Sequence, residues 1–194
     1  MHNLRTDRST SSRTLTANDP IDRDQEAYLR KIRDSEMPAM RAAAKMLADI
    51  DFTDKNTLLP ELNRLIEQIT KLQTEHWDAV AKPKASRRAA LVNEYTDTTN
   101  GLLQILDKIS NQLAAAIHYN DPLVDQLLSI KQNAWLLRNT GGEASLIIST
   151  GLNAGRVTPE ARLAYTQFVG GTAAMWKALE LSTSGMQLPQ ALSS

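Results

Sequence analysis

Apolar positions recur along most of this chain at the three- and four-residue spacing of a helix with one buried face. Leu58, Leu62, Leu65, Ile69 and Leu72 form one such stripe. Leu102, Ile105, Ile109, Leu113 and Ile117 form a second, and Leu123, Leu127, Ile130, Ala134 and Leu137 a third. No run of alternating β-branched residues bounded by hairpin turns is present, so strands are not expected. The punctuation divides the pattern into about six helices, at 2–17, 20–48, 55–81, 84–120, 122–154 and 158–182. Asn18-Asp19-Pro20, Asn120-Asp121-Pro122 and Thr158-Pro159-Glu160 each join a capping side chain to a proline suited to a first helical turn. Asp49 to Asp54 reads as a loop, Pro83 ends a helix, and Gly155 closes the fifth. Pro38 falls inside a helical run and predicts a kink or break near Glu36. Short connections between long helices make antiparallel neighbours, so the expected fold is all-α, an elongated antiparallel bundle forming a single domain over 1–194.

Composition narrows the function. The 194 residues, 42% of them hydrophobic, suffice for a core. Lys+Arg 22 balances Asp+Glu 22, which gives no electrostatic case for nucleic acid or a membrane surface. Cysteine is absent, excluding disulfides and thiol chemistry. No apolar run approaches the ~18 residues of a membrane span. The pattern starts abruptly in a helix and ends in LPQALSS, as expected of a fragment excised from a longer protein.

Catalytic motifs are missing. His2, His76 and His118 stand in no ExxH or HExxH spacing, and no nucleophile motif surrounds the serines and threonines, so neither an enzyme nor a metal or cofactor is expected. Two cationic segments carry more information. Within the fifth helix, Trp135, Leu136 and Leu137 precede Arg138, Asn139 and Thr140, and then Gly141 and Gly142. A mid-helix glycine costs about 1 kcal/mol relative to alanine, so an adjacent pair implies close backbone approach or a local opening of the helix. A cation beside such a gap suits a small anion; the bland alternative is an arginine whose stem packs while its head reaches water or a carboxylate. In the first helix Arg5 and Arg8 lie one turn apart, with Ser9, Ser11 and Ser12 able to line a polar pocket. The bland alternative there is a solvated helix end with Asp7 partnering an arginine. Trp77, Trp135 and Trp176 read as core or helix-interface residues.

These two segments carry a family resemblance. LRTDRSTSSRTL resembles the LQ-x-ERG-x-S opening of nitrate/nitrite-sensing (NIT) domains, and SIKQNAWLLRNTGG through GGTAAMWKAL resembles their second half, of pattern K-E-x-A-G-x-E-R-x…G…F…W. The chain as a whole is similar to the periplasmic sensory domains of α-proteobacterial methyl-accepting chemotaxis proteins. The likeness covers most of the chain in layout and two short motifs in detail. It departs at Ser9, where the family has glycine, and at Leu137, where it has an acid.

The resemblance implies that Arg8 and Arg138 converge on one partly buried pocket and hold a small anion, with Arg5, Trp135, Asn139, Gly141 and Gly142 around it. Nitrate, a small carboxylate or another small polar solute remain open as ligands. It further implies a periplasmic domain of an inner-membrane receptor, homodimeric, embedded by transmembrane helices and coupled to a cytoplasmic histidine kinase. The competing expectation is a structural or partner-binding bundle that takes no small ligand.

Overall fold

In a computed structural model the described residues are all-α, in six α-helices and one 3-10 turn. The structure describes residues 1–118, 121–184 and Met186. The helices are α1 (His2–Thr16), α2 (Arg23–Ala48), α3 (Lys55–Val80), α4 (Leu91–Ile117), α5 (Pro122–Ala154) and α6 (Pro159–Thr183), with the 3-10 turn at Lys84–Ser86. They fall into two compact units, Met1–Ala116 and Ile117–Ser194.

The first unit holds α1 to α4 around one core. The Leu58–Leu72 stripe is buried entire, and Leu102, Ile105 and Ile109 close over it from α4. Arg87, in the connection before α4, establishes the helix directions. Its guanidinium donates to the carbonyls of Ala79 (3.2 Å) and Lys82 (2.9 Å) at the end of α3. It also donates to Thr14 (2.9 Å), Leu15 (3.0 Å), Ala17 (2.7 Å) and Asp19 (2.9 Å) at the end of α1. One side chain thus satisfies the orphan carbonyls of two helix C-termini and holds them together. With α1 and α3 ending at one pole, and α2 and α4 starting there, the topology is up-down-up-down. At the opposite pole Asp54 takes the left-handed conformation that turns the chain into α3 (φ 59°), and its Oδ2 accepts from Gln112 Nε2 near the end of α4 (3.1 Å).

Three boundaries differ from the sequence pattern. Asp22, rather than Asp19, caps α2, its Oδ1 accepting from Gln25 N at 2.8 Å in an Asp-x-x-Gln box. The expected helix over 84–120 resolves into the 3-10 turn and α4; its last two positions, 119 and 120, lie outside the described residues, as does the LPQALSS tail. Pro38 does not break α2, which continues to Ala48. Pro38 and Asp34 both lie on the exposed side, so the carbonyl that loses its helical donor is within reach of water.

The second unit is a hairpin of α5 and α6. Asp121 caps α5 through Leu123 N (2.7 Å), and Thr158 caps α6 through Ala161 N (3.2 Å); each is followed by proline, as the punctuation predicts. Gly155 ends α5 in the left-handed region at φ 64°, after which Val157 folds back onto Gly151. A Cβ on Gly151 would stand 2.6 Å from the Val157 methyl, so this close approach requires glycine. The two helices meet along small residues: Gly141 faces Thr172, and Gly171 faces Thr140. The third stripe does not become a buried face, since Leu123 and Leu127 are about half exposed. Trp176 departs from its expected place as well: it is 57% exposed and donates through Nε1 to Glu180 Oε1 (2.9 Å).

Candidate functional site

The inward faces of α1 to α4 are not uniformly apolar. At one level of the first unit each helix turns polar side chains into the core: Asp7, Ser11 and Thr14 from α1, Arg33 and Glu36 from α2, Gln73 and His76 from α3, and Tyr95 from α4. They occupy the same three- and four-residue positions as the leucines above and below them, which is why the fold brings them together.

Asp7, fully buried, is the hub. Its Oδ1 accepts from Ser11 Oγ (2.8 Å) and Arg33 Nε (3.1 Å), and its Oδ2 from Gln73 Nε2 (3.0 Å) and the Tyr95 hydroxyl. Arg33 is its counter-ion. The Arg33 Nη2 donates to Ser11 Oγ (2.9 Å) and Tyr95 Oη (3.0 Å), while Nη1 donates to the Gln73 carbonyl and to His76 Nδ1, each at 3.4 Å. Because Nδ1 accepts, the ring proton lies on Nε2, which donates to Thr14 Oγ1 at 3.0 Å. Trp77 covers the cluster, with the Arg33 guanidinium carbon 4.6 Å and that of Arg30 4.4 Å from its ring centre.

Such a site holds one ion pair and neutralises the rest. Burial, aided by the charges of Arg33 and Arg87, drives the His76 pKa down to about 3, so its imidazole is neutral. Burial and the neighbouring Asp7 drive the Tyr95 phenol well above its ordinary value. Burial first, and the charge of Asp7 second, raise the Glu36 carboxyl to about 8, against the opposing pull of Arg33, the Met1 amino group and Gln73. Glu36 is thus a neutral acid at pH 7. Its Oε1 accepts from Gln73 Nε2 (3.3 Å), and its buried Oε2 has no hydrogen-bond partner. Among the described residues no three His, Cys, Asp or Glu side chains are grouped to hold a metal ion.

The residues singled out in the sequence divide between the two units. Arg8 is 8% exposed in the first, donating from Nη1 to Asn100 Oδ1 of α4, and Arg5 is half-buried one turn away. The expected solvated end with an Asp7–arginine pair is replaced by a buried one, in which Asp7 takes Arg33 from α2. Arg138, Trp135, Asn139, Gly141 and Gly142 belong to the second unit, all half-buried. The glycine pair does not open α5, which runs unbroken through it. Instead, Arg138 lays its guanidinium over Gly142, with Nη1 2.9 Å from where a Cβ would stand.

Sequence reasoning missed Arg33, Glu36, Gln73, His76 and Tyr95. The available signal was positional: Gln73 and His76 continue the Ile69–Leu72 stripe on its buried side. Among the described residues no helix is long and apolar enough to cross a membrane. Comparison with known proteins gives no matching family model, no similar curated protein and no similar solved structure.

Proposed function

We propose that the chain is an extracytoplasmic sensor domain of the chemoreceptor kind, which takes a small molecule between helices and transmits its presence by helix displacement. The observation that carries this reading is how α1 is held. Of its seven buried residues only Leu4 and Leu15 are apolar; the others are Asp7, Arg8, Thr10, Ser11 and Thr14. A helix docked by directional polar bonds is held in discrete registers, each with its own set of partners. A ligand that competes for Arg8 would shift α1 by its differential affinity for the two registers. The acid–arginine motif that carries the family resemblance coincides with this docking face. In the receptor this reading implies, the domain is periplasmic, paired with a second copy, anchored in the inner membrane and coupled to a cytoplasmic kinase.

The test is thermal unfolding with nitrate, nitrite and small carboxylates. Stabilisation by one of these anions, lost in Arg8→Ala and in Arg138→Ala, is the expected result. A shift unchanged in Arg138→Ala removes that residue from the site, and no shift with any anion overturns the anion reading.

One observation favours the competing reading of a partner-binding bundle. On α5 and α6, Leu123, Leu152, Leu163, Trp176 and Leu181 are all more than half exposed, and Leu163 and Leu181, five turns apart, share one side of α6 as an apolar surface for another protein. Sedimentation of the full chain addresses it: self-association abolished by Leu163→Glu or Leu181→Glu assigns the face to a second copy.

A further inference from the structure

The first unit contains a pocket of about 460 Å³ between the start of α1, the middle of α2 and Leu106 of α4. That volume lies within the ~300–1,000 Å³ of small-ligand sites. Its walls sort by chemistry. Leu4, Ala39, Met40, Ala43 and Leu106 make it mainly apolar. The polar side is made by Ser35, whose Oγ receives Asn3 Nδ2 at 2.8 Å, by Asn3 and Glu36, and by Met1 and His2. Glu36 is 94% buried and has the Oε2 that nothing in the protein satisfies.

From this arrangement we infer that the pocket is a binding site for a small organic amine, its ammonium group on the Glu36 carboxyl, which turns toward the pocket on binding, and its alkyl part against Met40, Ala43 and Leu106. The inference stands apart from the anion reading, since it rests on Glu36 and uses neither Arg8 nor Arg138.

Charge decides among ligand classes. The groups around Glu36 are Asp7 from α1, Arg33 on its own helix, neutral Gln73 from α3, and the exposed Met1 amino group and His2 at the pocket. Asp7 and Arg33 already cancel each other. An anion could pair with the Met1 amino group, but it would leave the Glu36 carboxyl protonated and without a cation. A neutral alcohol would gain one hydrogen bond with the protonated carboxyl and nothing more. An ammonium lets the carboxyl ionise into a paired state: the Glu36 proton leaves to buffer, the cation takes its place, and the net charge of the site is unchanged. Three N–H donors then meet the oxygens of Glu36, Ser35 and Asn3.

The experiment is calorimetry and thermal unfolding of the full chain with n-butylamine, n-butanol and butyrate, which share the alkyl part and differ in the head group. Butylamine is expected to stabilise, and calorimetry in buffers of different ionisation enthalpy is expected to show about one proton released per amine at pH 7 and far less at pH 9.5. Glu36→Gln, which keeps the shape of the site, is expected to abolish both effects. Ala39→Phe, which fills the pocket from an exposed helix position, is expected to block binding with Glu36 intact. Equal stabilisation by butanol or butyrate, an amine effect that survives in Glu36→Gln, or no amine effect at all would overturn the inference.

Discussion

Replacing Glu36 by glutamine should make the protein more stable, by an amount that grows with pH. The carboxyl has a folded-state pKa of about 8 against 4.5 for the free side chain. Raised in this way, it contributes its full stability below pH 4.5 and loses it as pH rises toward 8, because the unfolded chain gives up the proton first. The span is 8 − 4.5 = 3.5 pH units. At ~1.4 kcal/mol per unit this amounts to about 5 kcal/mol by pH 8. Glutamine carries no ionisable proton, preserves an acceptor for Gln73 Nε2, and escapes the loss. Urea unfolding of both proteins at intervals from pH 4 to 9 measures it. The two curves are expected to be close near pH 4.5 and to diverge by about 1.4 kcal/mol per pH unit up to pH 8, then to run parallel. Parallel curves across the whole interval would refute the reasoning, since they would mean that Glu36 titrates in the fold as it does in water.

Other substitutions probe the rest of the structure. His76 has the opposite sign: its pKa falls to about 3, so its contribution is complete above pH 6.5 and is lost as pH drops toward 3, and His76→Gln is expected to flatten the acid limb of the stability profile. Arg33→Met leaves Asp7 buried without its counter-ion and is expected to cost about 3–5 kcal/mol at pH 7 in chemical unfolding, more than the Tyr95→Phe change that removes one hydroxyl. Arg87→Ala, which uncaps α1 and α3 together, is expected to lower stability by about 2–4 kcal/mol, with hydrogen exchange rising at Thr14–Ala17 and Ala79–Lys82. In the hairpin, Gly170→Ala meets nothing within 4 Å and is expected to stabilise by about 1 kcal/mol, whereas Gly151→Ala drives a Cβ into Val157 and is expected to destabilise; equal effects in calorimetry would contradict this packing.

The helices were legible because their signals are local. Asp121-Pro122 and Thr158-Pro159 set the starts of α5 and α6, and Gly155 set the end of α5, because capping chemistry depends on residues a few positions apart. Pro38 does not break α2 for a reason that is not local: whether a proline breaks a helix depends on which side faces solvent, and that is decided by the other three helices. The polar core was illegible on the same ground. Asp7 and Tyr95 lie 88 positions apart, and either alone looks like an ordinary surface residue. Periodicity places Gln73 and His76 on the buried side of α3, but only the assembled bundle shows that Asp7 and Arg33 wait there to bond them. Arg87 gave no signal either, since an arginine that caps carbonyls through space needs no motif.

The polar core also explains why its one loose end is Glu36. Four helices bring an acid pair, a guanidinium, an imidazole and a phenol into one dry volume, and such a volume tolerates ions only in balance. Arg33 supplies one positive charge, and Asp7 claims it through two nitrogens while Ser11, Gln73 and Tyr95 complete its shell. His76 cannot supply a second charge, because its burial first, and the charge of Arg33 donating to its Nδ1 second, disfavour protonation. Glu36 therefore has two ways to be accommodated: to keep its proton, or to receive a cation from outside the protein. The first describes the structure without a ligand. The second requires an approach to the Glu36 carboxyl that leaves the Asp7–Arg33 pair intact, and Glu36 lines the pocket beside Leu4, Met40 and Leu106. An occupant there would ionise Glu36 next to Gln73, which bonds Glu36 and Asp7 through the same nitrogen. That nitrogen carries two N–H groups, one for each acid, so an ionised Glu36 can be served without taking the donor from Asp7.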